Sequence, residues 1–267
     1  MTRNPLAAQQ MTNAGVEPVI GDMCAVDGWV ERAAGCDAIV HTAFDGTAAW
    51  DADAAALTAF EKAAERGLMR KLIYTSGVWV HGDSAGAEVD ETSPLRPVDL
   101  VKPRTRHEAR VLALSNIEVM VLRPAVVYGE ARGIIGGWFE EALTRRTINY
   151  PGDGEQLWPL VHRDDLAEAY LLALRRGKRG EVYLASDGSA LRVKQLAGAV
   201  AKACGASAKA WPAAQVLEKL GPYGAALLLS QRVSSAKAER ELGWRPNHTD
   251  FISEAPALLR EFHAASD

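Results

Sequence analysis

KLIYTSGVWVHG, residues 71–82, opens as an uninterrupted apolar strand and runs into a loop that carries hydroxyls, a histidine and two glycines. A strand without polar/apolar alternation is buried on both sides, as in a parallel sheet covered on both faces. Working outward, Val16–Ile20, Asp37–Thr42 (DAIVHT), Glu118–Leu122 (EVMVL) and 181–185 read as further strands. Between and after them, helical periodicity predicts Gly28–Ala34, Asp51–Arg66, Thr105–Leu114, 138–146, 164–175, 193–203, 213–220 and 252–263. This alternation predicts an α/β fold built on a doubly wound parallel sheet. The rhythm loosens after about residue 130, beginning with the glycine-rich GIIGG at 133–137.

Composition narrows the function classes. The chain has 267 residues, 48% apolar and 24% charged, with a formal charge of −4, enough to bury a full core in one large domain or a domain with a lobe. A mildly acidic balance offers no basic footprint for nucleic acid. The longest apolar spans, such as Tyr170–Leu174 and Ala225–Leu229, fall far below the roughly 20 residues that cross a bilayer. MTRNPLAAQQ lacks the apolar core of a signal peptide, so a cytoplasmic protein without a membrane partner is expected. Cys24, Cys36 and Cys204 have no metal-type spacing and are expected to be small buried residues. The histidines are scattered singly, which predicts no metal site, and GxSxG does not occur.

Six segments together resemble the extended short-chain dehydrogenase/reductases, the NAD(P)-dependent epimerase/dehydratase family. They are GVEPVIGDM (15–23), DAIVHTAF (37–44), LIYTSGVWVHG (72–82), VLRPAVVYG (121–129), GDGEQLWPLVHRDDLAEAYLLAL (152–174) and VSSAKAERELGWRP (233–246). The resemblance implies a Rossmann-like domain over 1–132 and 158–188, and a smaller substrate lobe over 133–157 and 189–267. It also implies contacts to the adenine from Asp22 and Met23, to ribose and diphosphate from Thr42 and Ala43, and to the rest of the cofactor from Thr75, Arg104, Pro124 and Val126. A basic residue just past the second strand receives a 2′-phosphate, so Arg3 favours NADP over NAD; the alternative is a merely solvated arginine.

The family's GxxGxxG turn after the first strand is absent, and MTRNP aligns with the end of the second strand. The resemblance therefore implies a truncated N-terminal βαβ unit of about 30 residues. Loss of a central strand would leave DAIVHT with an open apolar edge. Three resolutions are expected: a natural start further upstream, a segment or partner that fills the gap, or a truncated product.

The family's catalytic serine, tyrosine and lysine fall on Gly77, Leu100 and Arg104. Leucine cannot transfer a proton and arginine stays charged. Substitute chemistry is expected from Ser76, beside the vacant hydroxyl position, from Arg104 in the lysine's electrostatic place, and from His81, because histidine is the side chain suited to acid/base work near neutral pH. The alternative for Arg104 is decoration of the helix near Thr105. His162 is a second acid/base candidate at the substrate site, or a structural companion of Asp164 and Asp165 at a helix N-terminus. Gly77, Trp79, Trp138 and Trp158 are expected to line a substrate pocket, although tryptophans are also ordinary core residues. His107 is expected to pack.

The resulting expectation is an oxidoreductase using NADP, or NAD, on a small carbonyl, hydroxyl or sugar-like substrate. The alternative is a non-catalytic cofactor sensor or interaction protein with the same fold. A homodimer is expected by resemblance, through the Asp51–Arg66 and Thr105–Leu114 helices.

Overall fold

The computed structural model describes residues 1–44, 49–66 and 69–266. In chain order its elements are α1 (Pro5–Asn13), α2 (Val30–Ala34), β1 (Ala38–His41), α3 (Ala49–Arg66), β2 (Lys71–Thr75), β3 (Glu88–Val89), α4 (Lys102–Leu112), β4 (Glu118–Pro124), β5 (Val126–Tyr128), α5 (Gly133–Arg145), β6 (Thr147–Pro151), β7 (Leu157–Trp158), β8 (Leu160–His162), α6 (Arg163–Arg176), β9 (Val182–Ala185), β10 (Leu191–Arg192), α7 (Val193–Cys204), β11 (Ser207–Trp211), α8 (Ala213–Leu227), β12 (Arg232–Val233), α9 (Ala236–Leu242) and α10 (Phe251–Ser266). The principal sheet has the strand order β1-β2-β4-β9. The chain divides into two compact units. One comprises Met1–Thr75, Arg106–Val121 and Lys178–Glu181; the other comprises Ser76–Thr105, Leu122–Gly177 and Val182–Asp267.

In the first unit β1 and β2 pair in parallel, from Ala38 opposite Lys71 to His41 opposite Tyr74. Leu72, Ile73 and Tyr74 are fully buried, which is why β2 shows no alternation. On α3, Ala52, Ala56, Ala59 and Ala63 recur at helical spacing and are buried with Leu57 and Phe60. This alanine face is packed within its own unit. Asn4 caps α1 by accepting from the Leu6 N–H at 2.9 Å, and Pro5 begins the helix where its missing N–H costs nothing.

Val16–Ile20 is not a strand: only an isolated parallel bridge joins Thr2 to Ile20. Val16 and Ile20 are exposed and Pro18 has no N–H to donate, so little favours a longer pairing. Cys24 and Cys36 are exposed rather than buried, lying in turns outside the packed helices, and only Cys204 is buried. The fourth helix starts at Lys102 instead of Thr105, since Pro103 fits a first helical turn.

In the second unit β5 and β8 pair in parallel, as do β6 and β11. A core of Tyr128, Phe139, Trp158, Leu196, Val200 and Phe251 lies among α5, α7 and α10. GIIGG, expected as an irregular stretch, forms the first turn of α5. A Cβ on Gly136 would lie 2.6 Å from the Ala131 carbonyl carbon, so glycine there permits close backbone approach. The helix expected over 213–220 runs on to Leu227 through a kink at Gly221, with Pro222 following.

Candidate functional site

The loop after β2 is held from several directions. The Ser76 N–H donates to the Leu122 carbonyl at 2.7 Å, and the Arg96 N–H donates to the Val80 carbonyl at 3.0 Å. Gln231, buried, donates its side-chain N–H groups to the carbonyls of Val78 and Gly82, both at 2.8 Å. Within this rigid turn the Ser76 Oγ is buried without a hydrogen-bond partner. An unsatisfied buried hydroxyl costs about 1–3 kcal/mol, and such a group calls for a ligand or a role.

Gly77 is not demanded by the backbone. Its φ of −178° is extended, and a Cβ there would sit 3.9 Å from the Pro124 carbonyl oxygen, an ordinary contact. A side chain at position 77 would therefore start without a clash.

His81 is 2% exposed, and its Nε2 lies 3.2 Å from an Arg123 guanidinium nitrogen. Arginine only donates, so Nε2 accepts and the ring proton sits on Nδ1. Arg104 is half-buried in the first turn of α4, and Leu100 lies in the short 3₁₀ turn Asp99–Val101 just before it.

Trp138 and Trp158 stack at 5.4 Å between ring centroids, 10° from parallel. They belong to the core and also line a cavity of about 270 Å³ whose wall includes Trp211 and Tyr223. Trp79, on the Ser76 loop, meets Tyr223 edge-on at 6.3 Å. A larger cavity of about 560 Å³, walled by Gly152, Asp153, Gln156 and Pro212 among others, gathers no comparable set of reactive or aromatic groups.

His162 is the N-cap of α6. Its Nδ1 accepts from the Asp164 N–H at 3.3 Å, and its ring stacks on His248 with centroids 3.8 Å apart. Burial, then the neighbouring His248, lowers its pKa. His162, Asp165 and His248 bring ligand-type atoms within 4.8 Å of one another, a grouping the sequence spacing did not reveal. Asp165, however, accepts from the backbone N–H groups of Asn247 and His248 and from the Asn247 amide, so its oxygens are engaged in closing that segment.

Nearby, burial, reinforced by the charges of Glu254 and Asp165, pushes the Asp187 carboxyl up to about 6. A carboxyl raised in the folded state favours folding at low pH and loses that contribution as pH climbs from about 4 through 6. Asp187→Asn is expected to stabilise the protein by about 2–3 kcal/mol at pH 7.5, with the gain vanishing near pH 4. Urea midpoints at the two pH values measure the difference.

In the first unit, Arg3 and Asp22 form an ion pair at 3.1 Å, joining two residues expected at the adenosine end of a cofactor. Met23 is half-buried, Thr42 and Ala43 are exposed beyond the end of β1, and Thr75 is half-buried at the end of β2. Pro124 and Val126, buried, belong to the second unit.

Sequence reasoning missed the polar cluster around Asp53. Asp53, 3% exposed, accepts from His41 Nε2 at 2.7 Å, Tyr74 Oη at 2.5 Å and His107 Nδ1 at 2.6 Å. Burial alone would raise this carboxyl, but the three hydrogen bonds outweigh it and hold Asp53 at about 2. The β1/β2 register sets His41 opposite Tyr74, and no spacing in the sequence announced it.

An α/β chain built on a parallel sheet of this order has a Rossmann-like architecture. Residues 1–185 match the NAD dependent epimerase/dehydratase family, and the chain belongs to that family. Among curated relatives, "Uncharacterized protein C2A9.02" of Schizosaccharomyces pombe is 29% identical over 96% of this chain and 90% of its own length. The 4-hydroxy-2-methyl-3-oxo-4-farnesyl-3,4-dihydroquinoline-1-oxide ketoreductase of Stigmatella aurantiaca is 27% identical over 73% of this chain and 62% of that protein. Human dTDP-D-glucose 4,6-dehydratase is 29% identical over 51% of this chain and 41% of its own.

Two solved structures share the fold. The dTDP-glucose 4,6-dehydratase DesIV of Streptomyces venezuelae, with NAD bound, superposes with a TM-score of 0.83 at 21% identity, covering 97% of this chain and 84% of that one. The human epimerase family protein SDR39U1, with NADPH, gives 0.77 at 21% identity, covering 95% and 94%. Among the described residues no helix is long and apolar enough to cross a membrane.

Proposed function

We propose that the chain is a cytoplasmic NAD(P)-dependent oxidoreductase that acts on a small carbonyl, hydroxyl or sugar-like substrate and lacks the family's tyrosine–lysine pair. The observation that carries this reading is the buried, unpartnered Ser76 Oγ on an immobilised loop at the end of β2. It is suited to donate to, or accept from, a substrate oxygen. A bound nicotinamide would supply or take the hydride. The residues that fit such a cofactor are Arg3 with Asp22 at the adenosine end, Arg3 favouring the 2′-phosphate of NADP, and the exposed Thr42–Ala43 segment for ribose and diphosphate. The pyrophosphate turn is not among the residues of this chain. Arg104, a fixed positive charge, takes the place of the lysine.

The test uses NADPH binding by fluorescence and NADPH oxidation with aldehydes and ketones. Ser76→Ala is expected to bind NADPH as the parent does, to be no less stable, and to lose about 10²-fold in kcat/KM, the size expected for one oriented hydroxyl. Gly77→Ser is expected to fold normally and raise turnover, since the position has room for the side chain. Leu100 supports a second reading, a cofactor sensor without turnover. Clear NADPH binding with no oxidation of any substrate would favour it.

A further inference from the structure

The aromatic cavity of the second unit narrows the substrate class, an inference that rests on the oxidoreductase reading. The cavity's volume of about 270 Å³ lies just below the usual range for small-molecule sites. Its floor is rigid: Trp158 is 1% exposed and donates its indole N–H to the Leu227 carbonyl at 3.2 Å, while Trp138, 6% exposed, stacks on it. Trp211 is half-buried and Tyr223 is 40% exposed at the edge. Flat aromatic walls of this kind favour flat ligands, which stack against ring faces or meet them edge-on.

The polar groups of the wall are as informative as the rings. Glu141 and Asn149 line the cavity, and Asn149 donates to the Glu141 carboxylate through its side-chain N–H at 2.8 Å and its backbone N–H at 3.3 Å. Arg145 lies 3.7 Å from the same carboxylate, but its side chain is 75% exposed. No lysine or arginine is among the described residues lining the cavity. A diphosphate needs cationic, preferably bidentate, partners, whereas this wall presents a fixed anion. Glu141 instead suits a ligand N–H or O–H.

The geometry points to a flat aromatic or heteroaromatic carbonyl or alcohol bearing a hydrogen-bond donor as the ligand of the Trp138/Trp158 cavity, and away from a nucleoside-diphosphate sugar. The Trp79–Tyr223 contact places one wall of this cavity against the loop that carries Ser76.

The test is calorimetric titration of the full chain, with NADPH binding measured separately on the same preparation. 6-Hydroxy-2-naphthaldehyde is expected to bind at least tenfold more tightly than cyclohexanecarbaldehyde, and UDP-glucose and dTDP-glucose are expected to give no heat. Trp211→Ala and Tyr223→Ala should each weaken the naphthaldehyde at least fivefold. Glu141→Gln should weaken it while leaving 2-naphthaldehyde, which lacks the donor, unchanged. Because Tyr223 is exposed, its variant is expected to fold, and circular dichroism checks that.

No heat with 6-hydroxy-2-naphthaldehyde, binding of either nucleotide sugar, or parental affinity in both edge variants overturns the inference. Naphthaldehyde binding without NADPH oxidation would overturn the enzyme reading and leave the ligand class standing. Oxidation of NADPH by aliphatic aldehydes with no preference for rings would do the reverse.

Discussion

Asp53→Ala is expected to lower the melting temperature by about 10 °C, the shift that corresponds to losing about 3–5 kcal/mol in a protein of this size. The substitution removes one carboxylate but strands three donors: His41, Tyr74 and His107 each lose an acceptor at 2.7 Å or less. Asp53 and His41 are almost fully buried, so water replaces little of what is lost. The sign with pH is also fixed. Asp53 is held at about 2 in the folded state, so its contribution is complete above the unfolded value near 4 and disappears as pH falls from there through 2. The parent should lose about 2 kcal/mol of stability over that interval, and Asp53→Ala should lack this component. Thermal melts at pH 7 and urea titrations between pH 2 and 5 measure both effects. Equal melting temperatures would show the cluster to be incidental.

Gly82→Ala is expected to cost about 3 kcal/mol and to displace the Ser76 loop. Gly82 has φ +70° and ψ −158°, a region open essentially to glycine alone. An added Cβ would lie 2.1 Å from the Arg96 carbonyl oxygen, far inside any real contact. Neither side can easily yield. The Arg96 N–H is bonded to the Val80 carbonyl, and Gln231 ties the Gly82 carbonyl to that of Val78. Gly77→Ala, five residues earlier in the same loop, is the control and should be tolerated. The expected outcome is a lower melting temperature for the first variant alone. If Gly82→Ala melts with the parent, the loop is not clamped as described, and the argument for an immobilised Ser76 weakens with it.

The fold was legible wherever burial on both faces erased alternation, as in β2, whose apolar residues carry the sheet register. It was also legible in α3, where alanines at helical spacing mark the inward face. What sequence did not reveal were pairings such as β6 with β11, where the half-buried and exposed residues of β11 give no periodic signal. Val16–Ile20 failed for the opposite reason, because apolar residues that find no partner surface do not make a strand.

At the site, residues adjacent in the chain were legible and residues joined through space were not. Ser76, Gly77 and Trp79 stood in one motif. Asp53, His107 and His248 come to their partners from distant segments, with no spacing to announce them. Gly77 was the informative ambiguity: its sequence position implied a lost hydroxyl, but only the backbone angle and the clearance to Pro124 show that no steric reason keeps a larger residue out.

The discontinuity of the first unit bears on how the chain is made. That unit is complete only when Lys178–Glu181 arrives, since the Val121 N–H donates to the Glu181 carbonyl and the Gly180 N–H to the Val119 carbonyl. On the ribosome, α1 to α4 and the start of β4 must therefore wait while the whole of 122–177 is translated. Domains generally fold as units during synthesis, and long-range pairings form slowly. Through that interval the apolar run of β4 lacks the backbone partners that Gly180 and Glu181 provide. Expression at low temperature, or with a slowed ribosome, should accordingly change the soluble yield of this protein more than its final stability.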